Sequence, residues 1–163
     1  MADRLFVSVL GRRNAGKSTT WNSLFGSTVQ TGRYSRILNL CEGECVEVFL
    51  ISGSPEERDL YAGDILAKQT FKIILCSIQY IDTARRTLEY VSKGQFDFYV
   101  QWLNPGHNDS GEYLDRLGLA PLLLGQGATL SIRDGKASAV PRVEEIRQFI
   151  YGWAKARGLT SPI

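Results

Sequence analysis

A run of eight residues near the start of the chain, GRRNAGKS, has the residue types and the spacing that bind phosphate groups. Gly11, Gly16, Lys17 and Ser18 fit the pattern G-x-x-x-x-G-K-[ST]. In that pattern the backbone N–H groups of residues 14–19 point inward and form an anion site, and the positive end of the following helix adds to it. Lys17 is expected to bridge the β- and γ-phosphates of a nucleoside triphosphate, and the Ser18 hydroxyl to bind magnesium.

The segments on either side of this run support the same interpretation. A strand-like segment, LFVSVL at 5–10, precedes it, and a helix-like stretch at 17–25 follows it. A random chain of this length meets the pattern less than about once in a hundred. The sequence therefore predicts that nucleotide phosphates are held by seven residues: Gly11, Asn14, Ala15, Gly16, Lys17, Ser18 and Thr19.

The longer segment GRRNAGKSTTWNSLFG, residues 11–26, resembles the first motif of Era-like GTPases. Those proteins carry Asn in the loop, then Gly-Lys-Ser, then an Asn-x-Leu helix, and the matching positions here are Asn14, Gly16, Lys17, Ser18, Asn22 and Leu24. The resemblance implies a P-loop NTPase that binds GTP with magnesium. It also implies a potassium ion beside the phosphates, held by Asn14. The alternative is that the Asn14 side chain bonds only to the backbone of its own loop.

The second motif of that family, Asp-x-x-Gly, is altered in this chain, where the corresponding strand end reads FLISGSPEER. In the direct register Ser52 replaces the aspartate that holds magnesium through water. Pro55 replaces the glycine that senses the γ-phosphate, and proline has no N–H to donate. A shifted register would let Gly53 donate and bring an acid to the metal, the candidates being Glu56, Glu57 and Asp59. Alternatively, the run SPEERD at 54–59 only starts a helix.

The guanine-reading motif, Asn-Lys-x-Asp, is also incomplete. The segment YVQWLNPGHND supplies Asn104 at a suitable place, but Pro105 replaces the lysine and His107 replaces the aspartate that would read the base. Asn-Pro-Gly is in addition a good turn without any ligand. The late segment ATLSIRDGKAS stands where the family has a small-residue loop beside the base, and it supplies Ser131. The base-binding candidates are therefore Asn104 and Ser131, and GTP is favoured slightly over ATP.

The intact first motif and the altered second motif together predict a GTPase-like protein that binds a nucleotide but hydrolyses it slowly. The magnesium-orienting acid and the glycine sensor are both missing in the direct register. We therefore expect hydrolysis to depend on a protein partner or on self-association to complete the site. The expected contact surface lies around three tyrosines: Tyr34, Tyr61 and Tyr80.

Two other functions remain open at the level of the sequence. A P-loop kinase would transfer a phosphoryl group from ATP to a small molecule, with Asp82 as a base. Five arginines could brace the transferred group: Arg85, Arg86, Arg116, Arg133 and Arg142. Asp82 is equally well placed as a helix cap. The third possibility is a non-catalytic domain whose loop binds only phosphate.

Alternating strand-like and helix-like segments must position these residues. Strands are expected at 5–10, 37–40, 45–51, 71–78, 96–103 and 128–133, and helices at 17–25, 56–69, 82–94, 112–117 and 141–158. This alternation predicts an α/β fold of the P-loop NTPase type, with a mostly parallel sheet and helices on both faces, in a single domain over residues 1–163. Ligands of such folds lie at the carboxyl ends of the strands, where the loop is.

Composition excludes several other classes of function. The formal net charge is +2 and the basic residues are scattered, which argues against a nucleic-acid partner. No apolar stretch approaches the length of about 18 residues that spans a membrane, and the first residues do not resemble a signal peptide, so a cytoplasmic protein is expected. Three cysteines with a single histidine indicate ordinary thiols rather than a zinc site.

Overall fold

A computed structural model describes residues 2–107, 109 and 114–163, and within these ranges the chain forms seven strands and five α-helices. The strands are β1 Arg4–Gly11, β2 Arg33–Asn39, β3 Glu44–Ile51, β4 Ile73–Gln79, β5 Phe96–Leu103, β6 Thr129–Arg133 and β7 Ser161–Pro162. The helices are α1 Lys17–Phe25, α2 Ala62–Leu66, α3 Ala84–Lys93, α4 Leu119–Gly125 and α5 Ala139–Lys155, with a 3₁₀ turn at Pro55–Arg58. None of the described helices has the length and apolarity needed to cross a membrane.

The strands form one sheet in the order β2-β3-β4-β1-β5-β6. The pairs β3–β4, β4–β1, β1–β5 and β5–β6 are parallel, whereas β2 and the short β7 run antiparallel to β3. The predicted α/β class with a mostly parallel sheet is confirmed. Strand β4 lies between β3 and β1, so the end of β4, not the end of β3, is the neighbour of the loop that leaves β1.

The central strands β1, β4 and β5 are buried on both faces of the sheet, which explains their nearly continuous apolar residues. Successive side chains of a strand point to opposite faces. In β1, Leu5, Val7 and Val9 pack in a cluster that includes residues of α1 and α5, and Phe6 and Leu10 pack with residues of α2, α3 and α4. All five side chains are fully buried. Helices therefore cover both faces of β1, and they fix the position where this strand ends.

Two predicted helices differ from the structure. The helix expected at 56–69 is divided into the 3₁₀ turn and α2, because Asp59 adopts a left-handed conformation with φ 52° and ends the turn. Of the helix expected at 112–117, Glu112 and Tyr113 lie outside the described residues, and 114–117 is not helical. The Asp115 carboxylate instead accepts hydrogen bonds from the first N–H groups of α4, a helix that we did not predict.

Candidate functional site

The segment between β1 and α1 is a tight loop that turns directly into the helix. Asn14 and Gly16 have positive φ angles of 61° and 112°, in the region that glycine adopts most readily. Gly16 is the N-cap residue of α1, and no side chain caps the helix there. The first N–H groups of a helix have no partner within the helix, so this end of α1 offers donors to a ligand.

Glycines on three separate segments enclose Ala15, which is 1% exposed. A Cβ atom on Gly11 would lie 2.8 Å from the Ala15 Cβ, and one on Gly106 would lie 2.7 Å from it. A Cβ atom on Gly135 would lie less than 3.0 Å from the Ala15 carbonyl oxygen. That oxygen also accepts a hydrogen bond from the His107 N–H at 3.1 Å. The ends of β1, β5 and β6 thus hold the loop by direct backbone packing.

Lys17 lies at the base of the loop with only 8% of its surface exposed. Its Nζ donates to the carbonyl oxygens of Gly11 at 2.8 Å and Arg12 at 2.9 Å, and to Gln79 Oε1 at 2.8 Å. These three bonds use all three N–H groups of the ammonium. Gln79 is the last residue of β4, and we did not predict its contact because the position of β4 beside β1 depends on the sheet order.

Among the residues that the structure describes, no carboxylate lies within 4.0 Å of the Lys17 ammonium. Burial lowers the pKa of Lys17 from its ordinary 10.5 to about 8, while the charges of Glu57 and Glu56 act in the opposite direction. A buried ammonium that is partly deprotonated at neutral to mildly basic pH is stabilised by any anion that binds beside it.

A cleft of about 930 Å³ opens in front of the loop. Its walls come from the loop, from the segments after β3 and β5, and from the residues that lead into α5. Four of the lining residues are cationic, Arg13, Lys17, Lys136 and Arg142, whereas Glu57 is the one carboxylate among the described lining residues. This excess of positive charge, together with the free N–H groups of α1, suits an anion that carries several charges.

In Era-like GTPases an aspartate follows the strand that corresponds to β3. In this chain the residues after β3 contribute to the cleft in a different way. Ser52 lines the cleft, and its hydroxyl donates to the Gln30 carbonyl at 2.8 Å and accepts from the Gly32 N–H at 3.0 Å. Its hydroxyl therefore holds the segment that follows α1. Of the acids considered for the shifted register, Glu57 lines the cleft. Glu56 instead accepts from the Gln79 N–H at 3.3 Å and the Thr87 hydroxyl at 2.8 Å.

Magnesium fits the cleft only together with a ligand. The described residues contain no group of three or more His, Cys, Asp or Glu side chains that would hold a metal. The cleft does contain the hydroxyls of Ser18 and Ser52 and the carboxylate of Glu57. Oxygen donors of this kind, with one carboxylate, bind magnesium in proteins when substrate phosphates supply further ligands. Asn14 is exposed at the cleft wall, where its amide is accessible to a monovalent cation.

The two base-binding candidates do not line the cleft. Asn104 is 7% exposed at the end of β5, and its N–H donates to the Arg133 carbonyl. The Ser131 hydroxyl forms a hydrogen bond with the Tyr99 hydroxyl at 2.9 Å, within the β5–β6 pair. The segment that reaches the cleft lies a few residues later, at 135–139, and His107 lies there as well. The run GKAS at 135–138, in which three of the four residues are small, was the signal that could have identified it.

Other residues considered from the sequence also lie elsewhere. Asp82 is 84% exposed near the start of α3, 4.0 Å from Arg85, and Arg133 pairs with Glu145 at 2.6 Å. Of the five arginines, Arg142 is the one that lines the cleft. The predicted contact surface is wrong for Tyr80, which is 5% exposed because its ring stacks on Trp102 at 5.1 Å.

The sequence matches no protein-family model and no curated protein. A function for the chain therefore has to be argued from the residues of the cleft.

Proposed function

We propose that this protein binds a nucleoside triphosphate with magnesium, GTP slightly in preference to ATP, as a P-loop NTPase of the small-GTPase type. The observation that carries the proposal is the combination of a buried lysine and an uncapped helix start at the floor of a cationic cleft. Backbone N–H groups of residues 14–19 bind the phosphate oxygens, and Lys17 neutralises their charge.

Magnesium would be held by the Ser18 hydroxyl and the phosphate oxygens, with Glu57 as the carboxylate that lines the same cleft. When bound, the metal neutralises charge on the phosphates and aligns them. All other contacts with the nucleotide would be made by residues of the protein. Because the cleft also contains residues 135–139 and His107, these are the groups available to the nucleoside part of the ligand.

Hydrolysis without a partner is expected to be slow. Ser52 brings no negative charge to the position of the metal-orienting acid, and Pro55 has no N–H for the γ-phosphate. The side chain that touches Lys17 from β4 is the neutral amide of Gln79. With Glu57 as the single carboxylate in the described walls, a second chain, either a partner protein or another copy, would have to complete the site.

The proposal is tested by calorimetric titration of the nucleotide-free protein with GTP, GDP, ATP and ADP, each with and without magnesium. We expect guanine nucleotides to bind more tightly than adenine nucleotides, and magnesium to strengthen the binding of the triphosphates. Adenine-biased binding would replace the GTPase-type proposal with an ATP-dependent one. Absence of binding to all four nucleotides would contradict the proposal itself.

Phosphate affinity should depend on pH through Lys17. Its pKa in the free protein is about 8, and a bound phosphate favours the protonated amine, so ligand binding takes up a proton above that pH. The affinity for inorganic tripolyphosphate should therefore fall about tenfold per pH unit above about pH 8.

The stability of the ligand-free protein should change with pH in the opposite direction to the phosphate affinity. Between pH 8 and pH 10.5 an unfolded Lys17 binds a proton that the folded one has lost, so the free energy of unfolding should rise with pH there. Calorimetry and urea melts between about pH 7 and pH 10 measure both effects. Lys17→Arg, which stays charged throughout, serves as the control. A pH-independent affinity in the wild type would contradict the role of Lys17.

A further inference from the structure

Arg142 is a buried cation that links two walls of the cleft. It lies in the first turn of α5 and is 3% exposed. Its Nε and Nη2 atoms each donate to the Thr20 hydroxyl at 3.3 Å, and its Nη1 donates to the Ala137 carbonyl at 3.1 Å and the Asp134 carbonyl at 3.5 Å. The guanidinium is thus fixed between α1 and the segment that leads into α5.

None of the acceptors that hold Arg142 carries a charge. Within the described part of the chain, no carboxylate lies within 4.0 Å of its guanidinium. Burial lowers the pKa of Arg142, and the charge of Asp134 opposes this effect. A guanidinium nevertheless remains protonated in proteins. A buried charge without a counter-charge is unfavourable, unless a ligand supplies that counter-charge.

The side chain faces the phosphate loop. Arg142 lines the cleft, and its Nη2 lies 3.4 Å from the point that a Cβ atom on Gly16 would occupy. The Thr20 hydroxyl that accepts from Arg142 donates in turn to the Gly16 carbonyl at 2.9 Å. Of the five N–H groups of the guanidinium, the second one on Nη2 has no acceptor among the described residues.

We propose that Arg142 is a phosphate-binding residue of this cleft, and that the phosphates of the bound nucleotide are its missing counter-charge. The inference rests on the proposed function, namely that the loop binds a nucleoside polyphosphate. Because Thr20 and Ala137 already hold the guanidinium in place, little side-chain entropy is lost when the phosphate binds. The residue therefore acts together with Lys17, and its contribution grows with the charge of the ligand.

The test compares Arg142→Gln and Arg142→Lys in calorimetric titrations with inorganic pyrophosphate, inorganic tripolyphosphate and the four nucleotides. We expect Arg142→Gln to bind tripolyphosphate about thirtyfold more weakly, with a smaller loss for pyrophosphate. Arg142→Lys keeps the charge but loses the planar donor group that Thr20 and Ala137 hold in place, so its loss should be about fivefold, smaller than that of Arg142→Gln. If Arg142→Gln does not fold, Arg142→Met occupies similar space without a polar head, and the same loss is expected of it.

Arg147→Gln is the matched control, because Arg147 also lies on α5 and donates to the Leu24 carbonyl of α1 at 2.8 Å without lining the cleft. Its phosphate affinity should not change. The inference would be overturned if Arg142→Gln bound tripolyphosphate as tightly as the wild type, or if Arg142→Lys lost as much affinity as Arg142→Gln. Neither result would contradict the proposal that the protein binds a nucleotide. If the wild type bound tripolyphosphate in an Arg142-dependent way but no nucleotide, the proposed function would fail, whereas the assignment of Arg142 as a phosphate-binding residue would stand. Failure to bind any polyphosphate would overturn both.

Discussion

Lys17→Ala is expected to weaken nucleotide binding by about a hundredfold or more, which corresponds to about 3 kcal/mol. The ammonium is buried, and two loop carbonyls and Gln79 hold it at the base of the loop. It must release one of these three acceptors to donate to a phosphate oxygen, and its charge attracts the phosphates from that position. Truncation would remove the most deeply buried positive charge of the loop. Isothermal titration with the magnesium complexes of GTP and ATP measures the loss.

Lys136→Ala provides the matched control for this experiment. Lys136 also lines the cleft, but it is exposed, and exposed charges contribute little because solvent screens them. Its removal should change the affinity by no more than about fivefold. If Lys17→Ala bound nucleotide as tightly as the wild type, the assignment of residues 11–19 as the phosphate loop would be wrong. A similar loss of nucleotide affinity in both variants would mean that the affinity depends only on the total positive charge of the cleft.

Local sequence was enough to predict the segments whose structure is set by their own residues. Helix α1 covers 17–25 as expected, with Trp21 and Leu24 buried, because apolar residues at helical spacing follow a glycine that can adopt a positive φ. Strand β5 likewise covers 96–103 as expected, since its dense apolar residues suit a strand buried on both faces. The alternation of such segments fixed the α/β class.

Contacts between distant segments could not be predicted in this way. Gln79 touches Lys17 because β4 pairs with β1, and the sheet order is set by packing over the whole domain. Arg142 reaches the loop because α5 packs beside α1, although nothing near it in sequence distinguishes it from other helix arginines. Ser131 was selected because its segment stands where Era-like GTPases have a small-residue loop beside the base. The strand that carries it ends before the chain reaches the cleft.

Gly135→Ala is expected to have the second largest effect, because the contact of Gly135 with Ala15 leaves no space for a side chain. A Cβ atom on Gly135 would press on the Ala15 carbonyl oxygen and lie 3.3 Å from the Pro105 carbonyl oxygen. Both neighbours are backbone atoms, which cannot rotate away as a side chain can. The φ angle of Gly135 is not in the left-handed region, so steric overlap is the only cost. We expect a loss of about 1–3 kcal/mol in the free energy of unfolding.

The same substitution should weaken phosphate binding, because relief of the overlap moves Ala15 and with it the N–H groups of the loop. A shift of the loop matters more for binding than for the rest of the fold, since the donors must converge on one phosphate. Gly152→Ala is the control: a Cβ atom there meets nothing within 4 Å, and alanine in a helix should stabilise by about 0.5–1 kcal/mol. Urea melts and tripolyphosphate titrations of both variants measure the two effects. A Gly135→Ala variant with normal stability and normal affinity would show that the segment after β6 does not hold the loop in place.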